Sequence, residues 1–177
     1  MKTTGLIIVN TGNGKGKTTA ALGLALRAWG QKLRILIIQF IKGNTSYGEL
    51  EALAALPGNR LQIYQMGEGF TRKNTGVEQA DHIKAAQKAL EKAYAEELSH
   101  SWDMIILDEI NYAVKFNLLK TDDVLKIIKN KPPELHLVLT GRDAAAPVIE
   151  KADLVTEMTE IKHPYKKGIK AQKGIEF

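Results

Sequence analysis

A chain of 177 residues with 44% hydrophobic and 25% charged side chains has the balance of a globular protein, and its length suits one domain over residues 1–177, burying roughly 70% of the surface its unfolded form exposes. With no cysteine it has no disulfides or thiolate metal sites, which fits a reducing, cytoplasmic setting; no apolar run is long enough for a membrane span or a signal-peptide core. The net charge of +5, crowded late into Lys162, His163, Lys166, Lys167, Lys170 and Lys173, suits a polyphosphate, a nucleic acid or a merely solvated surface, and does not choose among them.

The first predicted strand, Leu6–Asn10, runs into Thr11-Gly12-Asn13-Gly14-Lys15-Gly16-Lys17-Thr18-Thr19 and then a predicted helix, Lys17–Trp29, with Gly30 placed to cap it. A glycine-rich turn between a strand and a helix aims backbone N–H groups at phosphate oxygens, and the helix adds its positive end. Lys17 supplies a point charge to the phosphates and the Thr18 hydroxyl is placed to ligate Mg²⁺. The spacing departs from the strict Walker pattern, which puts a glycine where this chain has Thr11. The bland alternative is a flexible Gly/Lys turn without a ligand.

Beyond it come a predicted strand Arg34–Phe40, a helix Gly48–Leu56 stopped by Pro57-Gly58, and a strand Leu61–Met66. Val77–Leu98 is the longest predicted helix, with Ile83, Ala86, Leu90, Tyr94 and Leu98 at three- and four-residue spacing. A strand over Met104–Asp108 ends in two carboxylates, Asp108 and Glu109, which beside a phosphate loop suit Mg²⁺ but could equally be an acidic helix start. The remaining predicted elements are a helix Thr121–Lys129 with Thr121, Asp122 and Asp123 as its capping signal, a strand His136–Thr140, and a weaker one, Leu154–Glu157. Near-continuous apolar strands alternating with helices predict an α/β fold, a mostly parallel, doubly wound sheet flanked by helices. Ligands then sit beyond the carboxyl ends of the strands, where all the loops of interest fall.

Several segments in order resemble the P-loop ATP:corrinoid adenosyltransferases of cobalamin synthesis and salvage. They are Gly12 to Thr19, Gln39-Phe40-Ile41-Lys42-Gly43, Met66-Gly67-Glu68-Gly69-Phe70-Thr71, Leu107-Asp108-Glu109, Leu139-Thr140-Gly141-Arg142, Ala152 to Met158, Lys162-His163-Pro164 and Gly168 to Phe177. The resemblance implies a RecA-like P-loop fold, a homodimer, and a need for Mg²⁺. It implies attack by the cobalt(I) of cob(I)alamin or a precursor corrinoid on the ribose 5′ carbon of ATP, with the whole triphosphate leaving. The triphosphate would lie in the loop in reversed sense, and an electron-donating flavoprotein would supply cobalt(I).

By that resemblance Gly12, Asn13, Gly14, Lys15, Gly16, Lys17, Thr18, Thr19 and Arg142 hold the nucleotide, while Thr18, Glu109 and Asp108 hold the metal. Arg27 and His163 also match family positions. Phe70 would wedge under the corrin ring, displacing a lower ligand of cobalt; packing of Phe70 into the core is the alternative. Arg72 stands where better-known members carry a second aromatic. Cobalt(I) carries no proton, so the nucleophile needs no general base, and the chain shows no Ser/His/Asp constellation. A P-loop NTPase or kinase acting at the γ-phosphate and a non-enzymatic nucleotide or corrinoid carrier are the competing readings. A nucleic-acid binder lacks the aromatic platform it would need.

Overall fold

Ile35-Leu36-Ile37-Ile38 and Met104-Ile105-Ile106-Leu107 are apolar at every position because both faces of the sheet are covered, and each of these side chains is buried. The computed structural model describes residues 4–43, 47–69 and 76–176. In chain order the elements are β1 (Ile7–Thr11), α1 (Lys17–Gly30), β2 (Ile35–Gln39), α2 (Gly48–Ala54), β3 (Leu61–Gln65), α3 (Gly76–Leu98), β4 (Met104–Asp108), α4 (Ile110–Lys115), α5 (Thr121–Asn130), β5 (His136–Thr140), α6 (Ala146–Lys151) and β6 (Leu154–Glu157), followed by a 3₁₀ turn over Pro164–Lys167.

The strands form one sheet in the order β3-β2-β4-β5-β1-β6, and every pairing is parallel. Successive side chains alternate between two cores. Ile8, Ile35, Ile37, Met104, Ile106 and Val138 pack on Ala21, Ala25 and Ala28 of α1. On the other face Val9, Leu36, Ile38, Ile105, Leu107 and Leu139 meet α3, α4, α5 and α6. This is the doubly wound, RecA-like P-loop architecture, and it brings the carboxyl ends of β1, β2, β4 and β5 to one edge. The weakly predicted last strand is real but lies at the sheet margin, with all four residues exposed.

Three local expectations need correction. Gly30 does not cap α1; the left-handed residue is Lys32, at φ 72, and Leu33 N–H returns to Ala28 O at 3.1 Å. Leu98 is 63% exposed, because the buried stripe of α3 runs through Ala86, Ala89, Leu90, Ala93 and Glu97 and leaves Leu98 on its outer side. At the start of α5 the cap position belongs to Lys120 rather than Thr121, and Asp123 accepts the Lys120 N–H at 3.1 Å. The expectation that the carboxylates after β4 lie beside the phosphate loop holds, with Thr18 Oγ1 2.8 Å from Asp108 Oδ1, although β5 runs between the two strands.

Candidate nucleotide site

β1 ends at Thr11, and the chain then turns back on itself. Gly12 has φ 91, and a side chain there would put its Cβ 2.4 Å from Met158 O, so only glycine fits. The segment after β6 staples the turn on both sides: Met158 N–H donates to Thr11 O at 2.9 Å, and Gly14 N–H donates to Met158 O at 2.6 Å. Thr11, where the Walker pattern has glycine, uses its hydroxyl to accept Ala144 N–H at 3.1 Å, tying β1 to the loop after β5. Gly16, at φ 106, opens α1.

Lys17 is buried and curls back over this loop. Its Nζ donates to Gly12 O at 2.8 Å and to Gly14 O at 2.6 Å. Burial lowers its pKa, opposed by the charge of Glu109. Thr18, in the first turn of α1, donates its hydroxyl to Asp108 Oδ1 at 2.8 Å. Asp108 is buried and takes two further donors, Thr140 Oγ1 at 2.7 Å and Gln39 Nε2 at 2.9 Å. Three neutral donors from α1, β5 and β2 thus converge on one carboxylate at the strand ends, and buried polar groups require such partners.

Glu109 follows with φ 63, a left-handed conformation costly for a side-chain-bearing residue. Its N–H is held by Thr140 Oγ1 at 2.8 Å. Burial, and next the neighbouring Asp108, push its carboxyl up to about 7; Lys17, Lys42 and Arg142 oppose that rise. Three cations from three different segments therefore surround one half-buried carboxyl. Lys42 in turn pairs with Glu49 at 2.8 Å and lies over the Tyr47 ring at 4.6 Å.

These groups line one cavity of about 500 Å³. Its walls include Gly14 to Thr19 of the loop, Lys42, Tyr47, Glu49, Glu109 and Arg142, and the late residues Gly174 to Glu176. That volume suits a nucleotide's polyphosphate and sugar. A loop of glycines, a buried lysine, and a hydroxyl beside two strand-end carboxylates are groups that could hold a phosphate and Mg²⁺.

Sequence comparison agrees with this geometry. Residues 3–177 match the profile of the ATP:corrinoid adenosyltransferases BtuR/CobO/CobP. The chain belongs to that family. It is 44% identical to a corrinoid adenosyltransferase of Sinorhizobium sp, over 98% of this chain and 80% of the relative. It is 43% identical to one of Pseudomonas aeruginosa, covering 84% of that protein, and 36% identical to one of Escherichia coli K12, covering 86%.

Of the residues expected to act in this adenosyltransferase, Gly14, Lys15, Gly16, Lys17, Thr18, Thr19, Glu109 and Arg142 share the cavity. Gly12 shapes the loop behind it. Asn13, exposed on the loop, lines a smaller adjoining cleft of about 340 Å³ with Arg142, Glu157, Thr159, Glu160 and Lys166. Asp108 touches Thr18 rather than opening into the cavity. Arg27 is exposed in the last turn of α1, away from the cavity lining, and His163 accepts Tyr165 N–H at 3.2 Å to cap the 3₁₀ turn. Phe70 and Arg72 lie outside the described residues.

Sequence reasoning assigned no role to Gln39, Thr140, Lys42, Tyr47 or Glu49. A signal existed for the first two, since each is a polar residue ending an otherwise apolar strand. Nothing local marks Tyr47 or Glu49.

Proposed function

We propose that this protein transfers the 5′-deoxyadenosyl group of ATP to the cobalt(I) of a corrinoid in cobalamin biosynthesis or salvage, releasing triphosphate. The observation that supports it best is the set of cations, Lys17, Lys42 and Arg142, that line the phosphate-loop cavity together with Glu109. Displacement at a ribose carbon makes a highly charged leaving group, and stabilising it is what preorganised cations and amides do. The Co–C bond forms as the C5′–O bond breaks, and the electron pair departs with the triphosphate; no proton moves, so no base is needed.

Lys17 exchanges its two loop carbonyls, in whole or part, for phosphate oxygens. Thr18 and Glu109 are the hard oxygen donors that suit Mg²⁺. Among the described residues no cluster of three or more His, Cys, Asp or Glu could hold a metal. Thr18 and Glu109 would hold such an ion directly, and Asp108 directly or through its waters. When bound it neutralises charge on the triphosphate. Asp108 orients the Thr18 hydroxyl, and Arg142 reaches the phosphates from the loop after β5.

Phe70 retains its proposed place beneath the corrin, with Arg72 next to it. A homodimer, an electron-donating flavoprotein, cob(I)alamin or a precursor corrinoid as acceptor, and a cytoplasmic setting belong to the same proposal. No helix among the described residues is long and apolar enough to cross a membrane.

One anaerobic experiment tests the reading: Mg²⁺, ATP and chemically reduced corrinoid, followed by absorbance and by phosphate-product analysis. The expected products are an adenosylcorrinoid and tripolyphosphate. Glu109 could also serve as base to a water at the γ-phosphate, so ADP and phosphate formed without any corrinoid would replace the proposal by NTPase chemistry. Phe70→Ala is expected to lose mainly the rate coupled to cobalt reduction, with less effect on chemically prepared cobalt(I).

A further inference from the structure

The last residues of the chain return to the phosphate loop. After β6 the backbone passes Gly14 through the Met158 carbonyl and makes the 3₁₀ turn at Pro164–Lys167. It closes with a turn in which Gln172 O accepts the N–H groups of Ile175 and Glu176, at 3.1 and 2.9 Å. Gly174, Ile175 and Glu176 thereby form one wall of the phosphate cavity. Glu176 Oε2 meets Lys15 Nζ at 2.9 Å.

The charge pattern makes that contact specific. Between Lys162 and Phe177 the sequence holds five lysines and a single acidic side chain, Glu176. The basic segment thus delivers its one acidic side chain to a lysine of the phosphate loop. Lys15 does not share the buried position of Lys17: its side chain is 48% exposed, against 18% for Glu176. Ion pairs this open to water are weak and shift an equilibrium by up to about fivefold. A polyphosphate with several charges displaces the carboxylate easily, and the carboxylate can return when the anion loosens.

We infer that Glu176 is a positioning residue that occupies Lys15 while the loop is empty and competes with the triphosphate for it, so that the tail hastens departure of the released tripolyphosphate. This rests on the proposed reaction, whose leaving group is a strongly bound anion. A competitor built into the chain weakens the binding of both substrate and product triphosphates and gains turnover wherever release is slow.

The test is calorimetric titration and stopped-flow dissociation of magnesium tripolyphosphate and MgATP with the full-length protein and its Glu176→Gln, Glu176→Asp, Lys15→Gln and doubly substituted (K15Q/E176Q) variants. Glu176→Gln is expected to tighten tripolyphosphate binding about two- to fivefold and to slow its dissociation to a similar extent, and Glu176→Asp to restore part of the wild-type behaviour. In the Lys15→Gln background the Glu176→Gln change is expected to have no further effect. Equal or weaker tripolyphosphate binding by Glu176→Gln, or the same tightening without Lys15, overturns the inference. If the wild type binds tripolyphosphate through Lys17 while Glu176→Gln matches it, only this inference fails. If the wild type binds neither MgATP nor tripolyphosphate, the proposed function fails with it.

Discussion

Two glutamates in this molecule have nearly the same acidity and belong to different kinds of region. Glu109, at the phosphate edge of the sheet, and Glu97, on the inner side of α3, are both pushed up to about 7, in each case chiefly by burial. Around Glu109 stand Lys17, Lys42 and Arg142, a neighbouring carboxylate, and a cavity of about 500 Å³. Among the described residues the rise at Glu97 is opposed only by the charge of Lys131, whose Nζ is engaged with the carbonyls of Gly5, Pro132 and Leu135. Neither Glu97 oxygen has a hydrogen-bond partner among the described residues. A raised carboxyl pKa thus marks poor solvation; convergent cations and an open cavity are what make it a candidate for chemistry.

The contrast can be broken in four places. Lys17→Ala should have the largest effect, lowering kcat/KM for MgATP by about 10²–10³-fold, the range for loss of one preorganised electrostatic group. Steady-state rates with chemically reduced corrinoid measure it, and wild-type activity would detach the loop from the reaction. Glu109→Gln should come next, with a loss of about 10²-fold that added Mg²⁺ does not repair. Because only the ionised carboxylate can hold the metal, wild-type kcat/KM should rise with pH through about 7. That limb should vanish in the variant.

Glu97→Gln should leave those kinetics alone and alter stability. A carboxyl whose acidity falls from 4.5 in the open chain to about 7 when folded retains its proton where the unfolded chain has lost it. The contribution of this carboxyl to stability is therefore greatest below about pH 4.5, declines between there and about 7, and stays reduced above. The substitution should flatten that decline and raise the unfolding free energy above pH 7, by on the order of 2–3 kcal/mol. Denaturant melts across pH measure it; an unchanged pH profile would mean that water reaches this carboxyl. Leu98→Gln, at the exposed end of the same helix, should change stability least, by less than about 0.5 kcal/mol; a loss of several kcal/mol would show that something covers that face.

The strands and the phosphate loop were legible because their signals are local. Apolar runs bounded by turn residues located the six strands, three with the same bounds and three shifted by one residue at one or both ends, and Gly12 to Thr18 announced itself. Short α4 and α6 escaped, since six residues cannot establish a helical period and both begin immediately beyond a strand-end loop. The parts of the site missed in the sequence are non-local. Asp108 was legible as a strand-end carboxylate, but nothing nearby in the chain reveals that Thr18, Gln39 and Thr140 would close on it. That closure depends on β5 entering between β1 and β4, a choice of strand order that no hydrophobic pattern encodes. The pairing of Lys15 with Glu176 joins residues near opposite ends of the chain, beyond the reach of any spacing rule.

The staple between Gly14 and Met158 carries a consequence for how this enzyme tolerates its surroundings. With that amide hydrogen committed to a carbonyl, the loop has one backbone dipole fewer to offer an incoming anion, and ammonium and guanidinium groups carry more of the grip. The exposed ones, Lys15 and Arg142, are screened by dissolved ions within about 10 Å at 0.1 M salt, whereas dipoles fixed in a low-dielectric cradle are nearly indifferent to them. Nucleotide affinity in this protein should accordingly fall with ionic strength more steeply than in P-loop enzymes whose cradle amides are all unclaimed.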